Sequence, residues 1–275
     1  MKSNKGGTYK GYHCYGIIHD RQRVLICKRN IVRRKHGNTV INPPIPIKEP
    51  GQFTFAGGKL KLTEKKGRYQ EQGFDVPTDS QIQIFHAMEE ISSELGIREL
   101  PNNEVNALQI NHSSKEYNAQ VVYVFSEVSE DEMDEMIDEA HHAIAENEVR
   151  DDEIASVGAV TFDDALGLLT NYAELTPKEF SEWNKYAKKR GWRLKEEVKN
   201  GWHILALKYL DQSLNLGVLR NVSKEQLEEM ERADLEVIPL PSIRFFVDVR
   251  ESVKDPIPTL NIENEYQLSR DADLD

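Results

Sequence analysis

Short apolar runs separated by polar turns open the chain. Residues Tyr12-His13-Cys14-Tyr15-Gly16-Ile17-Ile18 read as a strand, His19-Asp20-Arg21-Gln22 as a polar turn and Val24-Leu25-Ile26-Cys27 as a second strand. Over residues 29–52 the alternation is lost. The basic run Arg33, Arg34, Lys35 and His36 is followed by Pro43, Pro44, Pro46 and Pro50, which predicts a loop. Phe53-Thr54-Phe55 then forms an apolar strand end that runs into Ala56-Gly57-Gly58, and the polar stretch 61–78 reads as an insertion or lid. From 79 to 95 the period changes to helical, with Ile84, Ala87, Met88, Ile91 and Leu95 three or four residues apart. Asp79 or Ser80 suits the N-cap and Gly96 the C-cap.

Residues 107–110 and 119–125 predict two strands, the second apolar enough to be central. An acidic helix is predicted over 129–148, a strand over 154–162 and a helix from Asp163-Asp164. Beyond 174 the stretches 177–190, 194–209 and 224–233 are helical in pattern, and 238–249 predicts a strand that docks back on the first region. The chain thus divides into 1–173, a mostly helical extension over 174–250, and a polar tail over 251–275 that is expected to be mobile.

Composition narrows the function classes. With 35 Lys and Arg against 47 Asp and Glu, the formal net charge of −12 argues against broad nucleic-acid binding. It suits a protein that handles cations, or one that meets anionic ligands through a metal. No apolar run approaches the roughly 20 residues of a membrane helix, and the first residues carry no apolar signal region, so a membrane location is not expected. Cys14 and Cys27 both stand in apolar runs, as buried thiols of a reducing cytoplasm do.

The chemistry concentrates on the helix over 79–95. Glu90 and Glu94 stand at i and i+4, so their carboxylates share a face, with Cβ atoms roughly 5–6 Å apart. Like charges so placed repel unless a cation lies between them, and hard ions such as Mg²⁺ take carboxylate oxygens together with substrate phosphate and water.

Strand pair, Gly-Gly, loop, carboxylate helix ending in Gly96-Ile97, two strands and a last strand–helix: this order resembles the Nudix hydrolase family over about residues 9–173. Residues 55–60 look like the family's strand end and glycine turn. Glu90-Ile91, Glu94, Gly96 and Ile97 match its box, whose later part reads R-E-U-x-E-E-x-G-U with U apolar. Residues 154–169 are similar to its late strand and helix. The resemblance implies an α/β fold, an α/β/α sandwich with a mixed sheet, here carrying a C-terminal helical extension. It also implies Mg²⁺ or Mn²⁺ held by Glu90 and Glu94 for attack of water on a nucleoside diphosphate linked to another group. Three positions depart from the box: Glu89 replaces its arginine, Ser93 the first glutamate of its pair, and Gln81 its early glutamate.

Further candidates complete the reading. Glu153, directly before a strand, is the choice for an additional ligand or general base from the acidic cluster Glu148, Asp151, Asp152 and Glu153. Gly57 and Gly58 are the candidate substrate cradle, with Arg33 and Arg34 as phosphate grips. His141-His142 point about 100° apart on a helix, which suits a surface better than a metal, and Trp183, Trp192 and Trp202 suit core anchors better than a base-stacking set. Two function classes follow: a metal-dependent pyrophosphohydrolase, or an inactive module of the same fold that binds a nucleotide or a protein. A regulator or secreted effector that binds a protein partner through its C-terminal helices is a third.

Overall fold

The computed structural model describes residues 11–97, 104–113, 118–170, 175–194, 201–218 and 234–244. The helical stretch expected over 224–233 and the tail over 251–275 lie outside the described residues.

Strands β1 (Gly11–His19) and β2 (Arg23–Arg29) form the expected hairpin, but they are paired to each other only near the turn, at His19↔Val24. Beyond that point they part. β6 (Ala56–Leu60) fills the opening against β1, and β5 (Phe53–Thr54) against β2. On its other side β1 runs parallel to β8 (Asn118–Glu127), the apolar strand expected to be central, which pairs antiparallel with β7 (Glu104–Ser113). β9 (Ile154–Thr161) pairs with β2, and β10 (Asp234–Arg244) docks on β7 as the pattern over 238–249 suggested. The result is a mixed eight-stranded sheet among the described residues.

Helices cover both faces. On one face Tyr15, Ile17, Leu108, Ile110, Tyr123 and Phe125 pack with α4 (Phe162–Thr170) and α6 (Gly201–Ser213). On the other, Cys14, Val122 and Val124 pack with α1 (Leu62–Glu71) and α2 (Asp79–Leu95), while Ile18, Leu25 and Cys27 pack with α2 and α3 (Glu130–Ala145). The architecture is an α/β/α sandwich with a mixed sheet. Within the C-terminal extension, α6 is part of a sandwich layer and buries Ile204, Ala206, Leu207 and Leu210 against the sheet. That face is not available to a partner. None of the described helices is long and apolar enough to cross a membrane.

Two segments differ from the sequence expectation. Residues 29–52 contain a hairpin of β3 (Val32–His36) and β4 (Thr39–Pro46) in a two-stranded sheet of its own. Prolines are compatible with a strand that needs its N–H groups on one side only. The hairpin is also held from outside. Asp152 accepts from the N–H groups of Arg34 (2.8 Å) and Lys35 (2.9 Å), and α5 (Pro177–Ala187) donates the Trp183 indole N–H to Ile47 O at 2.7 Å. The stretch 61–78 forms α1, whose buried Leu62 and Tyr69 join the α2 cluster. Two apolar positions in ten leave no visible helical period, so burial against α2 decides the element.

Candidate functional site

α2 is capped one residue earlier than expected. Thr78 accepts from Gln81 N–H, and the Gln81 side chain returns to Thr78 N–H, a capping box. Gly96 ends the helix in the left-handed conformation, φ 70°, as its position predicted. Ile82, Ile84, Ala87, Ile91 and Leu95 are buried, which directs His86, Glu89, Glu90 and Glu94 along the adjoining edge.

Glu94 is not on an open face. It is only 7 % exposed, and its Oε2 accepts the Gly57 N–H at 2.8 Å. Burial pushes its carboxyl up to about 8, with Glu90 adding repulsion against the pull of the Gly57 N–H and the Arg29 guanidinium. Burial also raises Glu90, opposed by His86, whose Nε2 lies 3.3 Å from Glu90 Oε1, and by Arg150. Glu89 goes the other way. Against the cost of burial, His86 and the Lys65 ammonium, 2.6 Å from Oε2, hold it at about 2. Glu89 is therefore an ionised carboxylate paired with a lysine from α1.

Ser93 turns its hydroxyl back onto Glu90 O at 3.4 Å and does not extend the carboxylate edge. Its carbonyl accepts Arg150 N–H at 2.9 Å, which brings the 147–153 loop against the end of α2.

Gly57 and Gly58 lie inside β6, opposite Tyr15 and Cys14 of β1, and not in a turn. The reason is steric. Gly57 has φ 139°, and a Cβ there would overlap Cys14 O and lie 2.7 Å from Tyr15 Cα. Gly58 meets nothing within 4 Å. The bare Gly57 backbone lets β6 approach β1 while its N–H serves Glu94.

The remaining candidates are drawn together elsewhere. Arg33 forms an ion pair with Glu153, and Arg34 with Glu182 of α5. Asp151 lies 2.7 Å from His36 Nδ1 and accepts Gly37 N–H at 3.1 Å. Lys35 Nζ donates to Asn147 O (2.7 Å) and Val149 O (2.8 Å). The basic run thus fastens β3 to the 147–153 loop. From that loop Asp151 adds repulsion at both Glu90 and Glu94, and Arg150 pulls the other way at Glu90, while Glu153 is taken up by Arg33.

His86, Lys65 and Arg150 were not singled out from sequence, while Asp151 stood in the acidic cluster from which Glu153 was chosen. Of the three missed residues His86 left a signal, standing four residues before Glu90 on the same helical ridge. Among the described residues, no three of His, Cys, Asp and Glu converge at metal-holding geometry. Glu90 and Glu94 are a coupled pair of carboxylates, suited to a hard cation that completes its shell with water and phosphate oxygen.

A second buried polar group lies on the opposite face. His203 of α6 sits among the rings of Tyr15, Phe55 and Tyr123. The Thr54 hydroxyl donates to Phe55 O at 3.0 Å, so it accepts from His203 Nε2 at 3.0 Å, leaving Nδ1 to accept from the Tyr123 hydroxyl at 2.7 Å. Burial lowers His203 to about 3, and it is neutral.

No family model matches the chain, and no curated protein matches it. Among solved structures, the chain is similar to a mutT/nudix family protein from Listeria innocua, at 13 % identity over 67 % of this chain and 96 % of that one, TM-score 0.31. It is similar to the Nudix domain of Shewanella oneidensis NrtR, solved with ADP ribose, at 12 % identity over 68 % and 92 %, TM-score 0.32. A third is a Nudix hydrolase from Nitrosomonas europaea, at 11 % identity over 68 % and 93 %, TM-score 0.29. The strand order and two helical layers, rather than these likenesses, define the architecture.

Proposed function

We propose that the protein is a Nudix-type hydrolase that cleaves the phosphoanhydride of a nucleoside-diphosphate-linked compound with Mg²⁺ or Mn²⁺, the ion held by Glu90 and Glu94. The single observation carrying this reading is the Glu94 carboxyl. It is buried, fixed by the Gly57 N–H, and held near 8 beside a second carboxyl. Ionising an acid so placed is costly, a nearby cation would relieve that cost, and such groups mark functional sites.

A bound divalent ion would supply charge neutralisation for a diphosphate and activation of the attacking water. The chain's own residues do the rest. The Gly57 N–H orients Glu94, and His86 orients Glu90. Glu94, raised to about 8, would have to give up its proton to hold the ion. A cytoplasmic setting belongs to the same proposal, since Cys14 and Cys27 are free and buried.

The second reading, an inactive module that binds a nucleotide, is favoured by two observations. The candidate base Glu153 is engaged by Arg33, and Ser93 brings no carboxylate.

Incubation with Mn²⁺ or Mg²⁺ and a panel of ADP-ribose, dinucleoside polyphosphates, NAD and nucleoside triphosphates separates the two. Metal-dependent turnover that disappears in Glu94→Gln is the expected result. Saturable binding of one compound without turnover of any would replace the hydrolase with the binding module.

A further inference from the structure

The cations felt by the α2 carboxylates are not equally available. Lys65 pairs with Glu89 at 2.6 Å, Arg29 with Glu49 at 3.3 Å, and His86 bridges Glu89 and Glu90 at 3.4 and 3.3 Å. The arginines expected to grip phosphate, Arg33 and Arg34, are engaged by Glu153 and Glu182. Arg150 differs. It is exposed, its charge reaches Glu90, and it has no ion pair among the described residues.

Its backbone is nevertheless fixed. Arg150 N–H donates to Ser93 O at 2.9 Å, the preceding Val149 is buried, and the following Asp151 holds His36 and Gly37. The result is a solvent-facing guanidinium on an anchored loop, docked on the turn of α2 between Glu90 and Glu94. The box position that would carry another carboxylate is Ser93, and the 147–153 loop brings a cation to that same place. A guanidinium there suits an anion that a metal-bearing carboxylate pair would share, because its planar donors match phosphate oxygens in bidentate fashion.

We infer that Arg150 is a substrate-contact residue that binds a phosphate group of a diphosphate ligand beside Glu90 and Glu94. This rests on the reading that Glu90 and Glu94 hold a divalent ion.

The test uses the full chain, with Mn²⁺ alone and then inorganic pyrophosphate added to the Mn²⁺-loaded protein. Wild type is compared with Arg150→Gln, Arg150→Lys and Lys61→Gln by calorimetric titration. Arg150→Gln is expected to weaken pyrophosphate binding at least tenfold. Its Mn²⁺ affinity should stay level or tighten, since a positive charge near Glu90 is removed. Arg150→Lys should recover part of the loss, and Lys61→Gln, on an exposed side chain paired with Glu64, should change nothing. Equal pyrophosphate affinity in wild type and Arg150→Gln would overturn the inference while leaving the metal site standing. So would a wild type that binds Mn²⁺ but not pyrophosphate, or a parallel loss of Mn²⁺ affinity in Arg150→Gln, which would make Arg150 a support of the loop. Absence of Mn²⁺ binding in wild type overturns the metal site itself, and the Arg150 contact with it.

Discussion

The Gly57 N–H donates to Glu94 Oε2 at 2.8 Å, tying the last turn of α2 to the strand that fills the gap between β1 and β2. One contact therefore joins the residue whose missing side chain lets two strands close to the residue whose charge is hardest to accommodate.

Glu94→Gln should weaken Mn²⁺ or Mg²⁺ binding by at least tenfold, about 1.4 kcal/mol or more. The amide keeps the shape and can still accept the Gly57 N–H, so the fold is retained. Glu90→Gln should act similarly. Glu89→Gln should matter much less, because Glu89 is already paired with the Lys65 ammonium. Calorimetric metal titration of the three variants reads this directly, and equal affinity in wild type and Glu94→Gln would remove the site.

Stability without metal should peak near pH 6.5. Burial lowers His203 to about 3 and His13 and His19 to about 4, so the unfolded chain binds more protons below 6.5 and stability falls as pH falls from there. Glu94, raised from 4.5 to about 8, has the opposite sign. The folded chain binds the extra proton between those values, and stability falls as pH rises through them. Below 6.5 three histidines outweigh one carboxyl, while above it Glu94 is left to set the slope. Thermal melts in EDTA across this range should show the alkaline decline in wild type and a flatter limb in Glu94→Gln. An unchanged limb would mean that Glu94 ionises freely in the folded chain.

The Gly57 and Gly58 positions should respond unequally to alanine. Gly57→Ala sets a Cβ against Cys14 O and Tyr15 Cα at φ 139°, so β6 must shift and take its N–H from Glu94. A loss of about 2 kcal/mol or more, together with weaker metal binding, is expected. Gly58→Ala meets nothing within 4 Å and should be near neutral. Urea melts of the pair decide it, and comparable losses at both would show that the strand, not the contact, is sensitive.

Removing one member of the Tyr123–His203–Thr54 chain strands the others in the core. Tyr123→Phe and His203→Leu should each cost about 1–3 kcal/mol for every partner left unsatisfied. The double variant should lose less than the sum of the two, because the Tyr123–His203 bond is absent from both singles. A double-mutant cycle measures the difference, and strict additivity would deny the bond.

The elements legible in the chain were those built by local rules. α2 shows a helical period closed by Gly96, and β1, β2, β7 and β8 are apolar runs bounded by turns; both signals lie within a few residues of the structure they specify. β3, β4 and α1 carry weak signals of their own because their supports are distant in sequence. Asp152 and Trp183 hold the hairpin, and the α2 cluster holds α1.

The site divides in the same way. By itself the sequence determined that Glu90 and Glu94 share one helical edge and that a glycine pair precedes them, since helix periodicity and residue identity are local matters. Only the tertiary structure decided what those carboxylates are. It buried Glu94 under β6, handed the Gly57 N–H to it, drew Arg33 and Glu153 into a pair of their own, and brought Arg150 to Ser93. Protonation and charge pairing depend on which groups and how much water lie within a few ångströms, and here those groups come from strands and loops tens of residues away.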